Sequence, residues 1–213
     1  EGLAVLGPGV QVTDNPEFSG FTDLVFTGSE AAVFWSDGRD GPCPDDPGPT
    51  LCNYEIYYKR LSLAGEALTS DVRISDTDLP CRVTEAAWTG SDLGVAWECG
   101  SEFRGGTYFG RITADGDPLT DPLEIDTYEI SNGLQDLVWT GSEFVVSWQR
   151  YTDTHLARIG EDGSIIDDTI LFEGVSFPRM VWTGSDLAMA WRGRSSTGEY
   201  GLQVDAEDAH AVI

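Results

Sequence analysis

A ten-residue pattern that recurs four times limits what this chain can fold into more than any other feature. The copies are FTGSEAAVFW from Phe26, WTGSDLGVAW from Trp88, WTGSEFVVSW from Trp139 and WTGSDLAMAW from Trp182. Each is an aromatic residue, Thr-Gly-Ser, an acid, four mostly apolar residues and a Trp. Self-similarity of this kind marks a repeat architecture in which each unit buries its apolar surface against its neighbours. The copies start 62, 51 and 43 residues apart, and the longest interval contains the stretch from Gly41 to Cys52, which reads as an inserted loop. The unit is therefore about 45 to 50 residues long.

Each unit has a second half. It runs YEIYYKRLSLAG from Tyr54, TYFGRITADG from Thr107, THLARIGEDG from Thr154 and YGLQVDAED from Tyr200, with Arg60, Arg111 and Arg158 in register and Gln203 in the fourth place. A last short segment follows in three units: VRIS at Val72, EIDTYEIS ending at Ser131 and TILFE from Thr169. Each unit thus reads as four short strands, and no segment keeps the 3.6-residue apolar spacing of a helix. The expected fold is all-β.

The first two strands of a unit form a hairpin across the Thr-Gly-Ser turn. With Gly90 and Ser91 at the turn centre, Trp88 faces Leu93, Ala86 faces Val95 and Thr84 faces Trp97, so both Trp residues share one face. The other face carries small apolar pairs, Val25 with Ala32, Ala87 with Gly94, Val138 with Val145 and Val181 with Ala188. A hairpin apolar on both faces must be covered on both. Radial packing of sheets, large residues of one blade on small residues of the next, does this, whereas a two-layer sandwich leaves one side wet. The expectation is a four-bladed β-propeller with four antiparallel strands per blade in one domain over residues 1–213. Blade one covers about 20–77, blade two about 79–131, blade three about 132–174 and blade four about 176–213. The fourth unit has no last strand of its own. Residues 1–14 align with the last strand of unit one, Val10, Val12 and Asp14 matching Val72, Ile74 and Asp76, so this opening strand is expected to complete blade four and close the ring.

Four cysteines read as two bridges. Cys43 and Cys52 bracket the inserted loop, and the hairpin pairing puts Cys99 opposite Arg82, one place from Cys81. Two disulfides imply an oxidising compartment, hence a secreted, periplasmic or cell-surface protein. Zinc fits poorly, because the spacing lacks a paired Cys-x-x-Cys knuckle. With 37 acidic residues against 12 basic ones, net charge −25, and one lysine, Lys59, the chain is no partner for nucleic acid or an anionic membrane. No run approaches 18 apolar residues, so no membrane insertion by a helix is expected.

Unit one, read through its insertion, runs VFWSDGRDG and then NYEIYYKRLSLAG. It resembles the TolB-type β-propeller repeat, whose blades carry a similar charged segment between the second and third strands. Asp37, Arg39, Asp40, Gly41, Asn53, Glu55, Ile56 and Tyr57 stand in the matching places. The whole chain also resembles the TGS-and-Trp propeller arrays of large exported bacterial proteins. Units two to four keep the hairpin and lose the charged element. The resemblance implies a propeller scaffold that binds a protein or other ligand, and implies no reaction.

Candidate sites are few. Three residues before each repeat's first aromatic stand Asp23, Glu85, Asp136 and Arg179, positions that approach the axis together if the first strand is innermost. They either form an ion-paired ring or hold a hard cation such as Ca²⁺, which prefers oxygen ligands, or they merely solvate the strand entrances. Similarity in size to four-bladed hemopexin-like propellers, which hold ions on their axis, implies the ion reading. The other acidic clusters, including Asp115 with Asp117 and Asp121, and Asp167 with Asp168, are expected at turns, keeping the surface solvated. The bridged, proline-rich inserted loop is the expected contact surface, with Asp45, Asp46 and Thr50 as its first candidates. His155 and His210 lie near neither a nucleophile turn nor a metal-ligand spacing, so no catalytic residue and no cofactor is assigned. The function expected is a non-catalytic binding or adhesion module with a protein or glycan ligand. The alternatives are a carbohydrate-binding lectin, a self-assembling subunit of a surface structure, and a glycan hydrolase using paired carboxylates.

Overall fold

The computed structural model describes residues 9–41, 53–101, 104–128, 133–151, 153–172, 176–194 and 200–205. It is all-β, with no helix among these residues, and its strands form four separate antiparallel sheets in chain order. The first sheet contains β1 (Ser19–Phe26), β2 (Glu30–Asp37), β3 (Glu55–Ser62) and the short β4 (Val72–Arg73). The second contains β5 (Cys81–Trp88), β6 (Asp92–Ser101), β7 (Arg104–Thr113) and β8 (Leu123–Tyr128). The third contains β9 (Gly133–Trp139), β10 (Glu143–Arg150), β11 (Asp153–Gly160) and β12 (Ile165–Phe172). The fourth contains β13 (Ser176–Trp182), β14 (Leu187–Arg194) and β15 (Tyr200–Asp205). Each sheet is a meander, every strand pairing with the next.

The repeated turn explains the hairpins. Gly28, Gly90, Gly141 and Gly184 all have φ between +97° and +108°, a conformation open to glycine at little cost. The preceding Thr holds the turn: Thr89 N donates to Asp92 O, and the Thr89 hydroxyl accepts from the amides of Ser91 and Asp92. The small-residue pairs fall opposite one another as expected, Val25 with Ala32, Ala87 with Gly94, Val138 with Val145 and Val181 with Ala188.

Successive sheets pack large on small. A Cβ added to Gly94 of β6 would lie 2.2 Å from Phe144 Cε1 of the third sheet, so the Phe144 ring occupies the space a side chain would need. Three apolar clusters follow, and each joins the small residue of one sheet to the first aromatic of the next. Val25 shares a cluster with Trp88, Ala87 with Trp139, and Val138 with Trp182. The fourth equivalent pair, Phe26 and Val181, remains 60% and 58% exposed.

β1 lies beside β5, β5 beside β9 and β9 beside β13. Because equivalent residues meet at these contacts, the four strands run the same way. Their starts and the β2–β3, β6–β7 and β10–β11 connections therefore share one end of the sheets, and the Thr-Gly-Ser turns share the other.

Several expectations need correction. Cys81 pairs directly with Cys99, since a bulge between Arg82 and Thr84 absorbs one residue; the two cysteines are disulfide-bonded with Cα atoms 3.9 Å apart. Asp167 and Asp168 lie inside β12 rather than at a turn. The last strand of unit one is cut to Val72–Arg73, and that of unit three starts earlier, at Ile165. Of the expected closing strand, residues 1–8 lie outside the described residues; residues 9–14 are assigned to no strand, and the fourth sheet has three described strands. Residues 9–14 run over the first sheet. Lys59 Nζ donates to Val12 O at 2.7 Å, and a Cβ on Gly65 would be 2.8 Å from Val10 Cγ2.

Candidate functional site

Each of the four inner strands carries an irregularity just before or at the residue that the repeat aligns as Asp23, Glu85, Asp136 and Arg179. The kinked strands bring these side chains together, and the two aspartates act alike. Asp23 accepts from its neighbour Leu24 N at 2.7 Å and from Ala86 N of the next sheet at 2.8 Å. Asp136 accepts from Leu137 N at 2.9 Å and from Met180 N of the next sheet. A short carboxylate thus clips one inner strand to the following one. Glu85, one methylene longer, accepts instead from Arg179 Nη1 at 3.0 Å, and the same guanidinium nitrogen stands 4.0 Å from Asp136 Oδ1.

Electrostatics here are dominated by burial. Desolvation pushes Glu85 up to about 7; Arg179 opposes the rise, and the charges of Asp23 and Asp136 add to it. Burial also raises Asp23 and Asp136, against the amide hydrogen bonds that favour their charged forms. Arg179 itself is the exposed member, its side chain 66% accessible against 19% for Glu85 and 13% for Asp136. Of the two readings with a chemical role, the ion-paired cluster is the one these contacts make. A Ca²⁺ site on Asp23, Glu85 and Asp136 is not supported: among the described residues no group of three or more Asp, Glu, His or Cys side chains is spaced to hold a metal. Arg179 reaches the carboxylates that such an ion would need.

The other repeated charges are structural. Arg60, Arg111 and Arg158 each bond the acid of their own Thr-Gly-Ser turn, Arg60 with Glu30 at 2.6 Å, Arg111 with Asp92 at 2.7 Å and Arg158 with Glu143 at 2.9 Å. Burial would lift Asp92, but hydrogen bonds from Arg111 and Ser91 carry it below the usual carboxylate range. Both halves of this pair were visible in the repeats as an acid and an arginine in fixed register; the missing step was that adjacent strands place them on one diagonal.

The charged motif of unit one is also internal bracing. Asp37, fully buried, accepts from Trp35 Nε1 at 2.7 Å, Arg39 Nη2 at 2.8 Å and Asn15 Nδ2 at 2.9 Å. Arg39 bridges on to Asp71 at 2.7 Å, with its guanidinium 4.4 Å from the Tyr57 ring centre. Asp40 accepts from the Tyr57 hydroxyl. Glu55, buried as well, accepts from Arg73 at 2.9 Å and from Thr77 N at 3.1 Å.

His155 stacks on Trp148, ring centres 5.5 Å apart, and serves packing. Asp45, Asp46, Thr50, Cys43, Cys52 and His210 lie outside the described residues.

One group of residues escaped the sequence entirely. Among the described residues, three non-glycine residues have positive φ: Phe21 (51°), Tyr151 (57°) and Phe177 (57°). All are aromatic, and they are 48%, 55% and 53% exposed. Left-handed backbone costs a residue with a side chain roughly 1–2 kcal/mol. Phe21 and Phe177 occupy equivalent places, two residues before Asp23 and Arg179, and Tyr151 sits in the β10–β11 turn, so all three lie at the same end of the sheets. No composition or spacing rule would single them out.

No family model matches the chain, and no curated protein does. Solved structures do. BBS1N in complex with ARL6DN, soaked with lead, is similar with a TM-score of 0.52 at 11% identity, over 93% of this chain and 55% of that one. An acylaminoacyl peptidase in complex with Z-Gly-Gly-Phe-chloromethyl ketone aligns with a TM-score of 0.47 at 10% identity, over 89% of this chain and 33% of that one. The chain spans about half the length of the first and a third of the second. The first likeness bears on the fold alone: an all-β, propeller-like set of antiparallel sheets. Among the described residues no helix is long and apolar enough to cross a membrane, and the Cys81–Cys99 bond is the chemistry of an oxidising environment.

Proposed function

We propose that the chain is a non-catalytic binding module for a protein partner, working outside the cytoplasm as part of a secreted, periplasmic or cell-surface protein. The observation that carries this reading is how its charge is spent. Among the described residues, eight of the chain's 12 basic side chains, Lys59 and Arg39, Arg60, Arg73, Arg111, Arg150, Arg158 and Arg179, are engaged in ion pairs with acids of the same chain. The surplus of 25 negative charges has no internal counterpart and surrounds a scaffold braced by buried polar networks. Such a field steers a basic partner and repels acidic ones. The solved neighbour is itself in complex with another protein, ARL6DN, which accords with this use of the fold.

The finer architecture belongs to the same proposal: a four-bladed ring closed by the opening segment. Support comes from one repeated contact. Gly116, at the turn after β7, would meet Val72 of the preceding sheet with a Cβ, at 3.0 Å. Gly65, at the turn after β3, meets Val10 in the same way. Val10 and Val72 are the residues that the repeat aligns, so residues 9–14 stand toward the first sheet as the last strand of a preceding blade would.

The reading is tested by probing the purified protein against a tiled peptide array graded in net charge and against a glycan array. Saturable, salt-sensitive binding to basic peptides is expected. Hits confined to glycans would hand the chain to the lectin alternative.

A further inference from the structure

We infer that the strained aromatic residues Phe21 and Phe177, flanking the cluster of Asp23, Glu85 and Arg179, form the docking face for a cationic protein segment, with Tyr151 at its edge. This rests on the reading above, that the partner is a protein, and adds the surface and the chemistry it recognises.

Three observations converge. Phe21 and Phe177 are equivalent residues on inner strands, and each stands two positions from a member of the polar cluster. Asp23 accepts from Ala86 N at 2.8 Å and the neighbouring Glu85 from Arg179 at 3.0 Å, so both strand entrances meet the same stretch of β5. Second, these rings are only lightly held: Phe21 touches Phe18, ring centres 5.9 Å apart, and Phe177 carries the Arg192 guanidinium on one face. Each keeps a left-handed backbone that costs a residue with a side chain, while half the ring stays in water and open to a partner, and strain of this kind clusters at functional surfaces. In β9 the positive φ at the strand entrance falls on Gly133 and the residue equivalent to the two rings, Leu134, is buried, so only β1 and β13 present an aromatic there. Third, aromatic faces beside three carboxylates that share one guanidinium, on a chain of net charge −25, suit a cation: the quadrupole of the ring and the field of the protein both attract it. The molecule already uses this pairing, because the Arg192 guanidinium stands 5.0 Å from the Phe177 ring centre. A neutral glycan would gain from the rings and nothing from the field.

The test uses the strain. Glycine is at ease with φ near +50°, so Phe21→Gly and Phe177→Gly, singly and together, should melt no lower than the parent protein. Binding is measured by calorimetry with three probes: nonamer peptides of net charge +3 carrying arginine at alternate positions, the same peptides with glutamate in place of arginine, and a neutral glucose heptasaccharide. The expected result is one-to-one binding of the arginine peptides, weakened at least tenfold in the double variant and by added salt, with no binding of the glutamate series. Arginine peptides that bind parent and double variant alike would overturn this site and leave the protein-partner reading standing. Binding of the heptasaccharide alone, lost in the double variant, would overturn both. No binding of any probe at millimolar concentration also removes the proposal, and a double variant that melts well below the parent would show the rings to be structural. Tyr151→Gly is the outer control, expected to weaken binding less than either inner substitution.

Discussion

Glu85 shows how a single side chain can carry two opposed effects. Its carboxylate meets Arg179, yet burial among two other acids holds its titration up to about 7, against 4.5 for the ordinary side chain. A carboxyl group raised on folding takes up a proton more readily in the native state. Its ionised form therefore destabilises the fold above pH 7, and that penalty fades as pH falls through 7 toward 4.5. Glu85→Gln should accordingly raise stability at pH 8 and change little at pH 5, read from urea denaturation at the two values. A larger loss at pH 8 than at pH 5 would mean that the bond to Arg179 outweighs desolvation. Asp92 behaves in the opposite sense: Arg111 lowers it, so its contribution is full above its unfolded value near 3.8 and disappears as pH drops below that through its lowered native value.

At the level of strands and sheets, the contact that decides packing is Phe144 on Gly94. Gly94→Ala places a methyl where the ring lies, and a loss of about 1–3 kcal/mol is expected from urea melts, with part recovered when Phe144→Leu is added. If the two changes are simply additive, the ring is not what Gly94 accommodates. This contact was legible in advance because a period-2 pattern fixes which residues share a face, and the repeated Thr-Gly-Ser turn fixes the register. What was not legible had local causes. The bulge at Arg82 to Thr84 moved Cys99 by one place, and bulges leave no mark in alternating apolar residues. The inner-strand irregularities likewise gave no warning of the left-handed Phe21 and Phe177, whereas their position in chain order sufficed to bring Asp23, Glu85, Asp136 and Arg179 together. Whether those four would pair or hold an ion depended on the reach of one guanidinium, which spacing alone does not specify.

For the whole molecule, closure turns on the interface between the fourth and first sheets. The three other interfaces bury an aromatic on a small residue, and Phe26 with Val181 is the remaining equivalent pair. If the ring closes as proposed, the double variant Phe26→Cys, Val181→Cys should form an intramolecular cross-link under mild oxidation without loss of solubility. Only mixed, intermolecular species would argue for an open array. The knob at this interface is Ala31, where the other three have Leu93, Phe144 and Leu187. In a ring closed as proposed, so small a latch makes this joint the first to part under a pulling force and the first to rejoin once the load is gone.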